Sequence, residues 1–64
     1  MELNIKKLEA ERKRLRLQKT AFSRHLGLSD SAYDKMMRSR STALDTITSM
    51  ARALHLDPKD LLTN

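Results

Sequence analysis

The segment from residue 19 to residue 37 constrains the fold most strongly, because the only glycine of the chain lies near its middle. Apolar residues recur at helical spacing on both sides of Gly27. Glycine adopts a left-handed backbone conformation at little cost and therefore ends helices readily. The pattern predicts two short helices, residues 19–26 and 30–37, around a tight turn. The side chains predicted to point inward are Phe22, Leu26, Leu28, Tyr33 and Met36, with the hydroxyl of Tyr33 at the surface.

The composition favours an all-α fold with short connections. The chain has one glycine and one proline, and these are too few for the tight turns that connect the strands of a sheet. The residues Lys, Arg, Leu, Ala and Met, in contrast, form helices well. We expect residues 1–64 to form a single domain that buries about 60% of the surface its unfolded chain exposes. The chain has no cysteine, so neither a disulfide nor a thiolate metal site can stabilise this small core.

One further helix is predicted on each side of this segment. Residues 3–16 show an uneven apolar stripe near the helical period, and we place helix one there. After a polar loop at 38–42, Thr42 and Asp45 form a Thr-x-x-Asp capping pattern that predicts the start of helix four. The apolar residues that follow at helical spacing are Leu44, Ile47, Met50, Ala51 and Leu54.

Local start signals support helix three and predict a fifth helix. Ser29 is a good N-cap for helix three, and Asp30 in the first turn suits the positive end of the helix dipole. Asp57 followed by Pro58 predicts the start of a short helix at 58–62. The expected architecture is therefore an all-α bundle of five helices with a helix-turn-helix at helices two and three.

The positive charge is concentrated in the part of the chain that contains the helix-turn-helix. The net charge is +5, and residues 1–40 hold eleven Lys and Arg against five Asp and Glu. Residues 41–64 hold two against three. An uneven basic charge of this kind indicates an anionic partner, although a charged and solvated surface is the simpler alternative.

The spacing of apolar and turn residues resembles a known family along nearly the whole chain. The residues that carry the resemblance are Leu17, Ala21-Phe22-Ser23, Leu26-Gly27-Leu28-Ser29, Tyr33, Leu44-x-x-Ile47-x-x-Met50-Ala51-x-Ala53-Leu54 and Asp57-Pro58-x-x-Leu61-Leu62. This arrangement resembles the phage Cro/repressor type of helix-turn-helix domain. That family includes lambda repressor and the xenobiotic-response-element class of bacterial regulators.

The resemblance implies a sequence-specific regulator of transcription that binds double-stranded DNA, either a Cro-like repressor or a restriction-modification controller. Its recognition helix, at about 29–38, would lie in the major groove. The implied base-reading residues are Ser29, Asp30, Ser31, Asp34 and Lys35. The phosphate-binding candidates are Lys19, Thr20, Arg38, Arg40, Ser41 and Thr42. The implied homodimer contact comprises His55, Leu56, Pro58 and Leu61.

Three positions depart from the family pattern, and one of them is Ser39, which stands in the loop after the recognition helix where the family often has Gly. Lys19 stands where helix two usually begins with Gln, and lysine can bind a phosphate but lacks the acceptor of an amide. Several members pair an Arg on helix one with an acid near the end of the recognition helix. Arg12 matches that Arg, but Met37 stands in place of the acid. We therefore expect Arg12 to find another partner or to stay at the surface.

Two acids on a helix that faces DNA need an explanation. Asp30 could stabilise the first turn of its helix, or it could contact a base. Asp34 could accept a hydrogen bond from cytosine N4, pair with Arg38, or exclude wrong sequences by repulsion. Lys35 is expected to contact guanine or a nearby phosphate.

Other functions are possible for a domain of this kind. An antitoxin with the same fold would use the face of helices four and five against a toxin. RNA binding is disfavoured because one Phe and one Tyr supply little stacking surface. The basic helix one could lie on a membrane surface, but its apolar face is thin and lacks aromatic residues.

Several chemistries are not expected. His25 and His55 are thirty residues apart without a nearby cysteine, so we predict no metal site. We expect no enzymatic activity and no cofactor, since a bundle this small offers no deep pocket. The chain has no membrane-spanning stretch and no apolar signal region at its N-terminus, so the cytoplasm of a bacterial or phage-infected cell is the predicted location.

Overall fold

A computed structural model describes residues 2–63, and the regular elements in that range are all helical. The four α-helices are α1 (Ile5–Arg14), α2 (Lys19–His25), α3 (Asp30–Ser39) and α4 (Leu44–Leu54), and a single 3₁₀ turn follows at Pro58–Leu61. The all-α prediction is confirmed, whereas the predicted count of five helices is wrong. The chain holds four helices within residues 2–63, and the fifth element is one turn of 3₁₀ helix.

The predicted fifth helix begins correctly but does not continue. The side chain of Asp57 accepts a hydrogen bond from the Lys59 amide at 2.9 Å, and Pro58 takes the first helical position. Leu62 is already extended, with φ −111° and ψ 146°, and it forms an isolated bridge with Leu3. The pairing with the N-terminal segment draws the chain out of the helix after a single turn.

Helix α1 begins two residues later than predicted. Leu3 lies in an extended segment, where its amide donates to the Arg40 carbonyl at 2.8 Å and its side chain is only 1% exposed. The Asn4 side chain caps α1 by accepting from the Lys7 amide, and the Asn4 amide donates to the Leu61 carbonyl. The N-terminal segment therefore lies between the loop after α3 and the end of the chain.

Gly27 ends α2 as predicted, in a Schellman arrangement. Its φ is +79°, its amide donates to the Arg24 carbonyl, and the Leu28 amide donates to the Ser23 carbonyl. These two hydrogen bonds satisfy carbonyls that the end of a helix leaves free. The same arrangement ends α1 and α4, where Arg16 and His55 adopt the left-handed conformation in place of glycine.

One apolar cluster connects all the elements. Phe22 and Tyr33 pack edge to face across the α2–α3 contact, with ring centroids 6.0 Å apart and an interplanar angle of 89°. Half-buried Leu15, Leu17, Leu28, Met37, Leu56 and Leu62 pack around the core. The buried apolar residues are Leu3, Leu8, Phe22, Leu26, Tyr33, Met36, Ile47, Met50, Ala51, Leu54 and Leu61.

The predicted start of α4 is wrong in two respects. The N-cap is Ala43, which makes no side-chain capping bond, so the Thr42–Asp45 capping pattern is not formed. Leu44 was expected inside but is 56% exposed. Leu44 is the first residue of α4. The first side chain of this helix that is buried in the core is that of Ile47, three residues later, and that of Met50 follows. The apolar stripe therefore extends beyond the core at this end of the helix.

Candidate nucleic-acid interface

A partly buried hydrogen bond fastens the start of α3 to α2. Ser23 is fully buried, and its Oγ lies 2.9 Å from Oδ1 of Asp30 and 2.8 Å from the Thr20 carbonyl oxygen. A hydroxyl has one proton, so Ser23 donates to one of these acceptors at a time. The small side chain at position 23 allows the close approach of α3 that this contact requires.

The first turn of α3 forms as the sequence predicts. The Ser29 Oγ accepts from the Ala32 amide at 3.1 Å, which confirms Ser29 as the N-cap. Asp30 lies in the first turn, close to free amides that favour a negative charge. Asp30 therefore serves both the start of its own helix and the contact with α2.

One face of α3 is polar and exposed. Tyr33 and Met36 point into the core, and every other side chain of the helix except the half-buried Met37 is exposed. Arg38 Nε lies 3.5 Å from the backbone carbonyl of Asp34 rather than from its carboxylate. The ion pair with Arg38, which was one of the alternatives for Asp34, is thus not formed, and the Asp34 carboxylate has no hydrogen-bond or ion-pair partner within residues 2–63.

The end of α3 differs from the predicted polar loop. The helix continues to Ser39, and Arg40 ends it in a left-handed conformation with its amide donating to the Met36 carbonyl at 2.8 Å. Ser39 Oγ is within hydrogen-bond distance of the Met36 and Ser41 carbonyls. The side chains of Arg38, Arg40 and Ser41 are exposed, and Thr42 is half-buried.

The start of α2 borders the exposed face of α3. Lys19 and Thr20 are exposed, and they line an open depression with Asp30, Tyr33 and Asp34. A neighbouring depression is lined by Lys19, Asp34, Met37 and Arg38. These two depressions bring together five of the predicted residues, Lys19, Thr20, Asp30, Asp34 and Arg38. Lys35, Ser41 and Thr42 line a separate depression, and Arg40 lines another beside the N-terminal segment.

Tyr33 meets its predicted position only in part. Its ring packs inward as expected, but the hydroxyl, predicted at the surface, is buried and has no hydrogen-bond partner in the part of the chain that the structure describes. Burial raises the pKa of this phenol because a phenolate would be poorly solvated there. The sequence prediction failed because exposure of the hydroxyl depends on how distant elements pack around it, among them α1, whose Glu9 and Arg12 also act on the pKa of this phenol.

Arg12 finds another partner, as predicted. Its guanidinium donates to both carboxylate oxygens of Glu9, at 3.1 and 3.2 Å, and to the Leu17 carbonyl at 3.0 Å. The hydrogen bond from Arg12 holds the pKa of the Glu9 carboxyl below its usual value. Arg12 therefore stabilises the connection between α1 and α2.

A buried carboxylate on α1 was not predicted. Glu11 is only 6% exposed and accepts from Arg14 Nε and Nη2 at 3.1 and 2.8 Å, and Lys7 Nζ lies 3.6 Å away. The hydrogen bond from Arg14 lowers the pKa of the Glu11 carboxyl. The spacing of Lys7, Glu11 and Arg14 along one helical face was the signal that could have revealed it.

The residues proposed for a dimer contact differ in exposure. His55 is exposed, and Leu56 and Pro58 are half-buried. Leu61 is 0% exposed, so its side chain belongs to the core of its own chain and is not available as a direct contact. Of the four predicted residues, His55, Leu56 and Pro58 therefore remain candidates for the dimer contact.

Within residues 2–63 no three histidine or acidic side chains lie close enough together to hold a metal ion. No helix in that range is long and apolar enough to cross a membrane. Comparison of the chain with protein-family models, with curated proteins and with solved structures found no match.

Proposed function

We propose that this chain is a sequence-specific, double-stranded DNA-binding regulator of transcription with a lambda-repressor-like helix-turn-helix domain. The observation that carries the proposal is the exposed polar face of α3, which is fastened to α2 across the Gly27 turn and bordered by basic side chains. Two helices joined by a short turn that contains glycine are the unit that places its second helix in the major groove.

In this proposal α3 is the recognition helix. Ser29, Asp30, Ser31, Asp34 and Lys35 are its base-reading candidates. They are exposed and lie between the N-cap and the middle of the helix, and the N-terminal residues of a recognition helix are the ones that usually approach base edges. Ser29 and Asp30 also have structural hydrogen bonds, so Ser31, Asp34 and Lys35 are the better candidates for direct base contact.

The phosphate contacts are proposed on both sides of α3. Lys19 and Thr20 lie at the start of α2, and Arg38, Arg40, Ser41 and Thr42 lie at or just beyond the end of α3. The amide-to-carbonyl bond from Leu3 to Arg40 fixes the backbone of the second group. Phosphate contacts position a protein on the duplex, whereas contacts to base edges give the specificity.

A domain of this size covers too few base pairs to select a unique site, so we propose a homodimer on a palindromic operator. The two half-sites would be centred about one turn of DNA, roughly 34 Å, apart. The candidate contact surface consists of His55, Leu56 and Pro58.

Selection of bound sequences from random double-stranded DNA tests the proposal. We expect a palindromic consensus and, if the six phosphate-binding candidates all form contacts, a slope of log affinity against log salt concentration of about −5. A slope near zero, or no enriched sequence, would contradict it. Purification of a stoichiometric protein complex that does not bind DNA would favour the antitoxin alternative.

A further inference from the structure

The exposed face of α3 carries two carboxylates, and the fold uses only one of them. Asp30 Oδ1 lies 2.9 Å from the buried hydroxyl of Ser23, so this acid holds α3 against α2. Asp34 lies about one helical turn further along the same helix. Its side chain is exposed, and its carboxylate has no hydrogen-bond or ion-pair partner within residues 2–63.

Asp34 also lies among cations. It lines an open depression with Lys19, Met37 and Arg38. These positive charges offset part of the repulsion that a lone carboxylate experiences near phosphates. A carboxylate can therefore approach the floor of the major groove at this point, where a donor from a base can reach it.

The chemistry of the base edges selects one base. An ionised carboxylate only accepts hydrogen bonds, so it matches a base edge that donates. Guanine and thymine present acceptors in the major groove, and adenine places its N7 acceptor beside the N6 donor. Cytosine presents the N4 amino donor without a neighbouring acceptor and is the best match for Asp34.

We propose that Asp34 is a specificity-determining residue that selects cytosine at one position of each half-site, whereas Asp30 is a positioning residue for α3. This inference rests on the proposed function and extends it to the base that is read. A replacement that changes the hydrogen-bonding pattern of the side chain at position 34 should therefore change the base that is selected.

The experiment compares binding sites selected from random double-stranded DNA by the unmodified chain and by Asp34→Asn, Asp34→Ala and Asp30→Asn. Asparagine can both accept from adenine N6 and donate to adenine N7. Asp34→Asn should therefore reverse the preference from cytosine to adenine at one half-site position, by roughly tenfold. Asp34→Ala should remove the preference at that position and leave the others intact.

Asp30→Asn tests the competing assignment, in which the base-reading candidate Asp30 and not Asp34 selects the base, because its amide oxygen can still accept from Ser23. It should leave the selected sequence unchanged, and thermal unfolding of all four proteins checks that each is folded. A consensus that Asp34→Asn and Asp34→Ala leave unchanged would overturn the inference while the proposed function stands. A change of the selected base from cytosine to adenine in the Asp30→Asn variant would also overturn the inference. Failure of the unmodified chain to enrich any sequence would instead contradict the proposed function.

Discussion

The hydroxyl of Ser23 lies 2.9 Å from the carboxylate of Asp30, across the turn that joins α2 to α3. Ser23 has no exposed surface, and its hydroxyl is also within 2.8 Å of the Thr20 carbonyl. The relative placement of the two helices thus depends on one small polar side chain and on the aromatic contact beside it.

Ser23→Ala should destabilise the chain by about 1 kcal/mol, because Asp30 loses its partner at a partly buried contact. Chemical denaturation measures the change. Ser31→Ala, at an exposed position on α3, is the control and should stay within about 0.5 kcal/mol of the unmodified chain. Equal stability of the two variants would show that the Ser23–Asp30 hydrogen bond contributes nothing.

Tyr33→Phe should stabilise the chain by about 1 kcal/mol, because it removes a buried hydroxyl that has no partner and keeps the ring. The edge-to-face contact with Phe22 is preserved in this variant. Denaturant unfolding provides the measurement. A loss of stability would mean that the hydroxyl makes a hydrogen bond in solution.

Gly27→Ala should destabilise the chain by about 1 kcal/mol through backbone strain alone. An added Cβ would meet no atom within 4 Å, but the φ of +79° is unfavourable for any residue with a side chain. His55→Gly is the reciprocal test, because His55 holds the same helix-ending position at φ +58°. It should change stability in the opposite direction, and a loss with His55→Gly would contradict the strain argument.

Acid should destabilise the chain through the paired glutamates of α1. The pKa values of Glu9 and Glu11 are lowered by hydrogen bonds from Arg12 and Arg14. Their stabilisation is therefore complete above the pKa of an unfolded glutamate, about 4.3, and is lost as the pH falls through the lowered folded values.

Stability measured against pH in the acid range tests this relation. Glu11→Gln should reduce the slope, because its amide does not titrate. The control is Ser31→Ala at an exposed position on α3, which removes no titratable group and should leave the slope unchanged. An undiminished slope in Glu11→Gln would contradict the assignment.

Lys35→Ala and Arg40→Ala should weaken DNA binding in different ways. Lys35 is proposed to read a base, so its loss should relax the preference at one base pair. Arg40 is proposed to contact a phosphate, so its loss should weaken all sequences about equally and reduce the salt slope by about 1. Competition binding against point-substituted operators distinguishes the two results, and identical behaviour of the variants would contradict the division of roles.

Much of the local structure could be predicted from the sequence. The Gly27 turn, the Ser29 cap and the Asp57–Pro58 start all form as predicted. Each depends on hydrogen bonds between residues within five positions of one another, so neighbouring residue types determine them. The all-α class followed from the same local preferences.

The tertiary structure alone decided the features that join distant residues. Leu3 was predicted in a helix, but its extended backbone pairs with Arg40 and Leu62, which shortens α1 and limits the fifth element to a 3₁₀ turn. The partner of Asp30 depends on the distance between α2 and α3, and the burial of the Tyr33 hydroxyl depends on how distant elements pack around it. Residue spacing determines which side of a helix a side chain occupies, but contacts between elements determine what that side chain meets.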